Sequence, residues 1–495
     1  MKKFSIAIIT FVLLGLIGIT FIEPLLLSTS TGQKLYLWSE GDEAAHFYFK
    51  EGDDVKSTVY MTGVIYTGTP DDIKLLLKKY PQIQKLVLIN VPGSIDDEAN
   101  LVASLAIHRS GITTHIPADS FVASGGTDMF LAGVKRTNDA GAKIGVHSWV
   151  DGEKTAREYE RNNAVHQPYL DYYQQVNIPE SFYWYTLDAA PADSIHWMTM
   201  SEIQKYDVLT SFIDTTKLIN RVKVLADDNM KGRATGKNKA AQAVILSQFN
   251  QYHLKMFKND FEQPFSFIDE KTKKSRKGTN LVGYLKGKES PNDYIVIGAH
   301  YDHLGVIDNK IFNGADDNAS GTSAMLSLVE YFSTYPPHNS IIFVAYDAEE
   351  LGIHGSIQFL KNPPIDLNQI KMNFNFDMIG RNIKNEVYIV GTYYYPEFKE
   401  ILASASKNID LQVSYGHDDP NDNNRDYWMK SSDNAPYFLK QIPNITFSEE
   451  DHPDYHKESD EFDGIDQIYY KQVVKLIIKS ISQIDANLAK LIVQK

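Results

Sequence analysis

Residues 294–321 constrain the fold of this chain more than any other stretch of its sequence. The stretch opens with an apolar, β-branched run at 294–297, which predicts a buried strand that ends near Gly298. His300 and Asp302 follow where the carboxyl end of that strand is expected. Open α/β sheets bind ligands beyond the carboxyl ends of their strands, and imidazole and carboxylate groups bind divalent metals. The stretch therefore predicts an α/β sheet with a metal site at its edge.

Acidic and imidazole groups recur downstream in the same arrangement. They are Asp316 and Asp317, which with Asn318 precede a predicted helix at 319–332, Glu349 and Glu350 at the end of an apolar strand, Asp377 at the end of another, and His452 and His456 in a polar loop. Taken singly, each group has a structural interpretation, such as a helix cap or a solvated turn. Buried strands normally exclude acidic residues, so three successive strands that end in such groups predict one shared cation site.

These motifs, in this order, resemble the co-catalytic zinc aminopeptidases of the aminopeptidase Y and bacterial leucyl aminopeptidase family. That family also contains glutamate carboxypeptidases and glutaminyl cyclases. The resemblance covers residues 213–495, which are more than half of the chain. It implies an α/β domain with a central mixed sheet flanked by helices, two zinc ions as cofactors and peptides as substrates.

The resemblance also implies a role for each site residue. The metal ligands would be His300, Asp317, Glu350, Asp377 and His456. Asp317 would bridge the two zinc ions and form a cis peptide bond with Asn318, and Glu349 would be the general base. Asp302 would hold the ring of His300, a common role for a carboxylate near a metal-bound imidazole. His303 and His354 fit no role in the pattern and are interpreted as ordinary loop or surface residues.

The chemistry of peptide hydrolysis fits the same residues. Zinc lowers the pKa of bound water to about 7, and a carboxylate that is not a ligand can move the proton to the leaving amine. Such a site leaves room for a free α-amino group, which favours an exopeptidase, and the resemblance implies an aminopeptidase. The alternatives are a carboxypeptidase or a single-zinc glutaminyl cyclase on the same scaffold, and a non-catalytic ectodomain. The paired acidic ligands Glu350 and Asp377 favour two metals over the cyclase.

Composition limits the partners and the number of domains. A chain of 495 residues is too long for one core, so two domains are expected. The net charge of −14 argues against a nucleic acid partner, which needs a basic surface. The chain has no cysteine, so zinc must be held by histidine and carboxylate groups alone.

The N-terminal segment predicts the location of the protein. Lys2 and Lys3 precede a run at 4–22 without a charged residue, and about 20 apolar residues span a bilayer. A signal anchor at 1–27 is favoured over a cleaved signal peptide, with the rest of the chain outside the cytoplasm, periplasmic or at the cell surface. Residues 28–56 are predicted to form a linker or an edge hairpin.

Strands and helices alternate between residues 57 and 211 and predict a layered α/β domain. This region resembles the Clp-protease and crotonase superfamily, especially Clp-like periplasmic proteins. The turn at 91–94 resembles the oxyanion turn of that superfamily, Ser124 lies where its nucleophile belongs, and His147 lies where its base belongs. A polar, Tyr-rich segment at 153–175 predicts a helix over the sheet, and Clp-like folds often form oligomers.

The Clp-like pattern is incomplete. Ile195 occupies the position of the third catalytic residue, and Asp193 and His196 lie nearby. Ser124 and His147 therefore have two interpretations: a serine peptidase site, or a helix N-cap and a strand-end residue in a binding or assembly module. The sequence thus predicts a Clp/crotonase-like domain at 57–211 and a zinc aminopeptidase-like catalytic domain at 212–495.

Overall fold

The computed structural model describes residues 27–152, 154–423 and 426–492 of the chain. The chain divides into two compact units between Ser211 and Phe212. No helix in the described part is long and apolar enough to cross a membrane. The anchor predicted at 1–27 lies outside the described residues, apart from Leu27.

The first unit contains two parallel-rich sheets. Its strands are β1 (His46–Tyr48), β2 (Thr58–Thr62), β3 (Lys85–Leu88), β4 (Asn90–Val91), β5 (Thr113–Ile116), β6 (Phe121–Ala123), β7 (Arg136–Asn138), β8 (Lys143–Val146), β9 (Val150–Asp151), β10 (Lys154–Thr155) and β11 (His196–Trp197). One sheet has the order β1-β2-β3-β5-β7, another has the order β11-β8-β6-β4, and β9 and β10 form a hairpin. The edge strands β1 and β11 are antiparallel, and the other pairs in the two larger sheets are parallel, as strand–helix alternation predicts.

The helices of the first unit correct two predictions. They are α1 (Ser30–Glu40), α2 (Thr69–Lys79), α3 (Asp97–Arg109), α4 (Gly125–Leu131), α5 (Gln167–Gln175), α6 (Glu180–Ala189) and α7 (Met200–Lys205). The segment at 28–56, predicted as a linker or an edge hairpin, contains α1, because Thr29 caps its first turn and Leu37 is buried. It also contains the edge strand β1, which pairs antiparallel with β2, in agreement with the hairpin alternative. The helix predicted at 153–175 is only α5, which starts beside Pro168, because β10 and 3₁₀ turns precede it.

The second unit is built on one mixed sheet with the order β12-β13-β17-β14-β18-β21-β19-β20. The strands of this unit, including a separate β15–β16 hairpin, are β12 (Glu262–Ile268), β13 (Ser275–Leu285), β14 (Ser290–His300), β15 (Gly305–Ile307), β16 (Lys310–Phe312), β17 (Asn339–Tyr346), β18 (Ile370–Phe376), β19 (Glu386–Val390), β20 (Gln412–Tyr415) and β21 (Asn444–Ser448). Strands β17, β14, β18 and β21 are parallel neighbours, so their carboxyl ends meet at one edge.

Helices flank this sheet and bury its apolar strands. They are α8 (Thr215–Leu225), α9 (Lys239–Gln251), α10 (Gly321–Thr334), α11 (His354–Lys361), α12 (Lys399–Ala405), α13 (Ala435–Leu439) and α14 (Gln467–Ile492). Every residue of β17 is buried, as is expected of a central strand covered on both faces. The predicted α/β class, with a central mixed sheet between helices in the second unit, is confirmed.

Candidate metal centre

The carboxyl ends of three neighbouring strands bring the predicted site residues together. Strand β14 pairs in parallel with both β17 and β18. His300 ends β14, Glu349 and Glu350 follow β17 after a short turn, and Asp377 comes directly after β18. A sheet of this topology therefore collects side chains from distant parts of the sequence in one crevice.

A first group of possible ligands surrounds His300. Its Nε2 atom lies 3.2 Å from Oδ1 of Asp377 and 3.4 Å from Oδ1 of Asp317. The three side chains present atoms within 4.8 Å of one another, close enough to hold one metal ion. His300 is 1% exposed, so its ring is fixed in the core of the unit.

A second group lies on the other side of Asp317. Nε2 of His456 lies 3.1 Å from Oδ2 of Asp317 and 3.2 Å from Oε2 of Glu350. The side chain of His456 is 40% exposed, which places this group at the mouth of the crevice. The structure thus brings all five predicted ligands together in two adjoining groups.

Asp317 belongs to both groups and uses a different oxygen for each. Its peptide bond to Asn318 is cis, as the resemblance implies. The backbone N–H groups of Asp316 and Asp317 donate to the buried carboxylate of Asp460, at 3.0 and 3.1 Å, which holds the loop in place. The carboxylate of Asp317 is therefore shared by the two groups, with one oxygen facing each.

Without a bound metal ion, protons on His300 and His456 offset the negative charge of the neighbouring carboxylates. Hydrogen bonds to Asp317 and Glu350 raise the pKa of His456 to about 10. Burial acts to lower the pKa of His300, but the charge of Asp377 and its neighbours outweighs it, and that pKa lies well above its ordinary value. Divalent cations compete with protons for such groups. The nitrogen and oxygen donors of the two groups suit zinc.

Glu349 and Asp302 lie beside these groups. The backbone N–H of Glu349 donates to Oδ1 of Asp302 at 3.1 Å, and the hydroxyl of Thr235 donates to Oδ2 at 3.1 Å. The Asp302 carboxylate, predicted to hold the His300 ring, lies close to that ring, and the backbone carbonyl of Asp302 lies closer still. Nδ1 of His300 lies 3.8 Å from that carboxylate but 3.2 Å from the backbone carbonyl of Asp302, because the carboxylate is already engaged.

Two residues of the centre were not assigned to it from the sequence. His303 was interpreted as an ordinary loop or surface residue, but it is 1% exposed and faces Glu350 and Asp317. Its position three residues after His300 was the available signal. Arg233 is also 1% exposed, and its guanidinium donates to the backbone carbonyls of Leu225, Tyr301, Asn313 and Gly314. His354 is outside the centre and stacks on Phe267.

Ser124 and His147 share a cavity in the first unit. They follow the parallel neighbours β6 and β8, and Asp128 and Trp149 also line the cavity. Ser124 has φ 52° and ψ −128° and makes no side-chain capping bond, so it is not an ordinary N-cap. A Cβ atom on Gly93 would lie 3.1 Å from Cβ of Ser124, so the turn at 91–94 packs directly against the serine.

The structure does not complete a catalytic triad around these two residues. Nδ1 of His147 is buried without a hydrogen-bond partner in the described part of the chain. Asp193 is exposed, and His196 is paired with Glu202 at 3.0 Å. Neither neighbour of Ile195 therefore takes the place of the third residue.

Comparison with known proteins places a family match on the second unit. Residues 280–481 match the family model described as Peptidase family M28. Over 216 residues, the chain is 27% identical to aminopeptidase YwaD of Bacillus subtilis, and the match covers 41% of this chain and 44% of that protein. The chain thus spans less than half the length of this relative.

Solved structures with a similar fold include two enzymes. One is a zinc aminopeptidase, BSAP, from Bacillus subtilis, with 17% identity and a TM-score of 0.45 over 54% of this chain and 95% of that one. The other is a glutaminyl cyclase from Bacteroides thetaiotaomicron bound to N-acetylhistamine, with 18% identity and a TM-score of 0.45; the match covers 55% of this chain and 98% of that one.

Proposed function

We propose, starting from the peptidase family M28 domain at residues 280–481, that this protein is a metallo-aminopeptidase that uses two zinc ions. His300, Asp317 and Asp377 would hold one ion, and Asp317, Glu350 and His456 would hold the other. The observation that carries the proposal is the bridging position of Asp317, whose two oxygens face separate groups.

The side chains fit the reaction as well as the metal. When bound, zinc supplies Lewis acidity and a nucleophile at neutral pH. Glu349 follows Ala348 just after β17, and its backbone N–H donates a hydrogen bond to the carboxylate of Asp302, which fixes its backbone beside both groups. Its carboxylate belongs to neither group. Glu349 is therefore free to take a proton from the attacking water and to deliver it to the leaving amine.

The choice of an aminopeptidase rests on the relatives of this chain, which include aminopeptidase YwaD of Bacillus subtilis. Glu350 and Asp377 each contribute a carboxylate to a different group, which favours two ions over the single ion of a cyclase. A non-catalytic ectodomain would be expected to lack a ligand or the base, and this chain has the full set.

Substrates that differ at the N-terminus test the proposal. Zinc-loaded protein should hydrolyse aminoacyl 4-nitroanilides and peptides with a free N-terminus, and N-acetylation should abolish hydrolysis. Release of C-terminal residues from N-acetylated peptides would identify a carboxypeptidase instead. Conversion of N-terminal glutamine to pyroglutamate without peptide-bond cleavage would identify a cyclase.

A second candidate activity is a serine peptidase site at Ser124 and His147. The observation in its favour is the positive φ of Ser124 at a strand-to-helix turn, a strained conformation that is often found at catalytic nucleophiles. A fluorophosphonate probe should label the Glu349→Gln protein but not the Glu349→Gln/Ser124→Ala protein. Equal labelling of both would eliminate the site, and the first unit would then be a binding or assembly module.

We further propose that the protein acts outside the cytoplasm and is held there by its N-terminal segment. The uncharged run at 4–22 after two lysines supports this location. Protease added to intact cells, or to cells with a permeable outer membrane, should digest the catalytic unit. Protection of that unit until the inner membrane is broken would contradict the proposal.

A further inference from the structure

His303 lies in the metal centre but has no role in the mechanism above. Its side chain is 0% exposed, and its Nδ1 atom lies 2.7 Å from Oε1 of Glu350 and 3.7 Å from Oδ2 of Asp317. The three side chains present atoms that lie within 4.8 Å of one another. The atoms of His300, Asp317 and Asp377 lie within the same limit.

The short contact between His303 and Glu350 lacks the geometry of a well-aligned hydrogen bond. Nδ1 of His303 and Oε1 of Glu350 both lack a hydrogen-bond partner among the described residues, although they are 2.7 Å apart. The ring nitrogen does not point at the oxygen with the alignment that a hydrogen bond requires. A buried polar atom without a partner is costly, by about 1–3 kcal/mol. A cation that both atoms can reach would satisfy them together.

We propose that His303 is a further ligand of the second cation, an inference that rests on the zinc-dependent function proposed above. The second group then has four protein ligands, which are His303, Asp317, Glu350 and His456. The first group keeps three. Zinc sites closed by four protein ligands are typically structural, whereas catalytic sites keep a position open. Water and substrate would therefore bind mainly at the His300 side of the centre.

The surrounding loop holds the His303 ring in this position. A Cβ atom on Gly314 would lie 2.5 Å from Cγ and Cδ2 of the His303 ring, and Gly314 has a φ of 56°, which favours glycine. The ring is therefore packed directly against the backbone of the loop that carries Asp317. The position of Nδ1 is fixed by this packing and not by a hydrogen bond.

The nearby His452 shows why closeness to carboxylates is not enough. It forms a third group with Asp316 and Glu449. However, Nδ1 of His452 accepts a hydrogen bond from the backbone N–H of Asp454 at 3.2 Å. The neutral ring must then carry its proton on Nε2, the nitrogen that faces Asp316 at 3.2 Å. A protonated Nε2 cannot bind a cation. No such amide donates to Nε2 of His303 in the described part of the chain, so its Nδ1 atom, which faces Glu350, is not forced to carry a proton.

Proton NMR of the cobalt-substituted protein counts the bound imidazoles. Each imidazole bound to paramagnetic cobalt has one exchangeable N–H, which gives a strongly shifted signal that disappears in D₂O. We expect three such signals in the full-length parent, from His300, His303 and His456. His303→Ala should lose one signal, and the matched control His354→Ala should keep all three. Two signals in the parent, or three in His303→Ala, would overturn the proposal.

Cobalt affinity provides the second measurement and separates the two proposals. The parent should bind two cobalt ions, and His303→Ala should bind the second ion about 10- to 100-fold more weakly, with the first unchanged. His303→Asn, which keeps a similar size, should show the same weakening and so exclude a packing effect. Two ions bound with unchanged affinity in both variants would refute the role of His303 alone. A parent that binds fewer than two ions would refute the two-zinc function as well.

Discussion

Replacement of Glu349 by glutamine tests the separation between metal binding and proton transfer. The change keeps the size of the side chain and leaves the backbone N–H bond to Asp302 intact. It removes only the group that can accept a proton. General acid–base catalysis contributes typically 10²- to 10⁴-fold to a rate, which corresponds to about 3–5 kcal/mol of the activation barrier. We therefore expect kcat to fall by that factor while zinc content stays at the parent value.

The structure also predicts how this variant affects stability. Burial raises the pKa of Glu349 well above its ordinary value, and the charges of Asp377 and Glu350 raise it further. Glutamine removes one buried acid from this crowded cluster, so the metal-free variant should be no less stable than the parent. Thermal unfolding in the presence of a chelator measures this. A large loss of stability would mean that Glu349 has a structural role.

The adjacent residue provides the matched control. Glu350→Gln alters a side chain whose two oxygens face His303 at 2.7 Å and His456 at 3.2 Å. We expect this variant to lose one zinc ion as well as activity. Kinetics with an aminoacyl 4-nitroanilide and elemental analysis of the same samples distinguish the two variants. Full activity of Glu349→Gln would refute its role as the base, and loss of zinc from it would show that it binds metal.

Two further predictions concern stability. Arg233→Met removes the guanidinium that donates to four buried carbonyl groups, of which, among the described residues, only that of Gly314 keeps a bond from a backbone N–H, that of Ala319. We expect this variant to lose about 3–5 kcal/mol of stability in urea unfolding, whereas the half-exposed control Arg276→Met should lose less than about 1 kcal/mol. Similar losses in both variants would refute the role of Arg233. Burial raises the pKa of Asp128 from 3.8 to about 7. Between pH 3.8 and about pH 7, the folded state therefore keeps a proton on Asp128 that the unfolded chain has released, and the free energy of unfolding falls as pH rises. The difference in free energy of unfolding between Asp128→Asn and the parent should therefore rise in favour of the variant by roughly 2–4 kcal/mol between pH 5 and pH 8. The same difference at both pH values would contradict the raised pKa of Asp128.

The sequence predicted the strands of the catalytic unit and the order of its acidic residues well. Apolar β-branched runs ending in polar groups are a strong local signal, and they correspond to β14, β17 and β18. Parallel pairing then brings His300 and Asp377 together, which follows from the rule that such strands share one carboxyl edge. The helix predicted at 319–332 is found at Gly321–Thr334, which also agrees.

The parts that sequence reasoning missed depend on side-chain direction and packing. His303 follows the same strand as His300, and spacing alone does not show that its ring points inward against Gly314. The carbonyl of Asp302, and not its carboxylate, lies nearest to His300, because other donors occupy the carboxylate. Helix α1 was missed because its sequence is mostly polar and only Leu37 marks a buried apolar face.

Zinc content of the Asp317→Asn protein tests the central claim most directly. Oδ1 of Asp317 faces His300 at 3.4 Å, and Oδ2 faces His456 at 3.1 Å. If one carboxylate bridges both cations, a single amide substitution should weaken both sites. Asp377→Asn, which touches only the first group, should weaken one. Equilibrium dialysis followed by elemental analysis should give two zinc ions for the parent, one for Asp377→Asn and none for Asp317→Asn. Two zinc ions retained by Asp317→Asn would contradict the account.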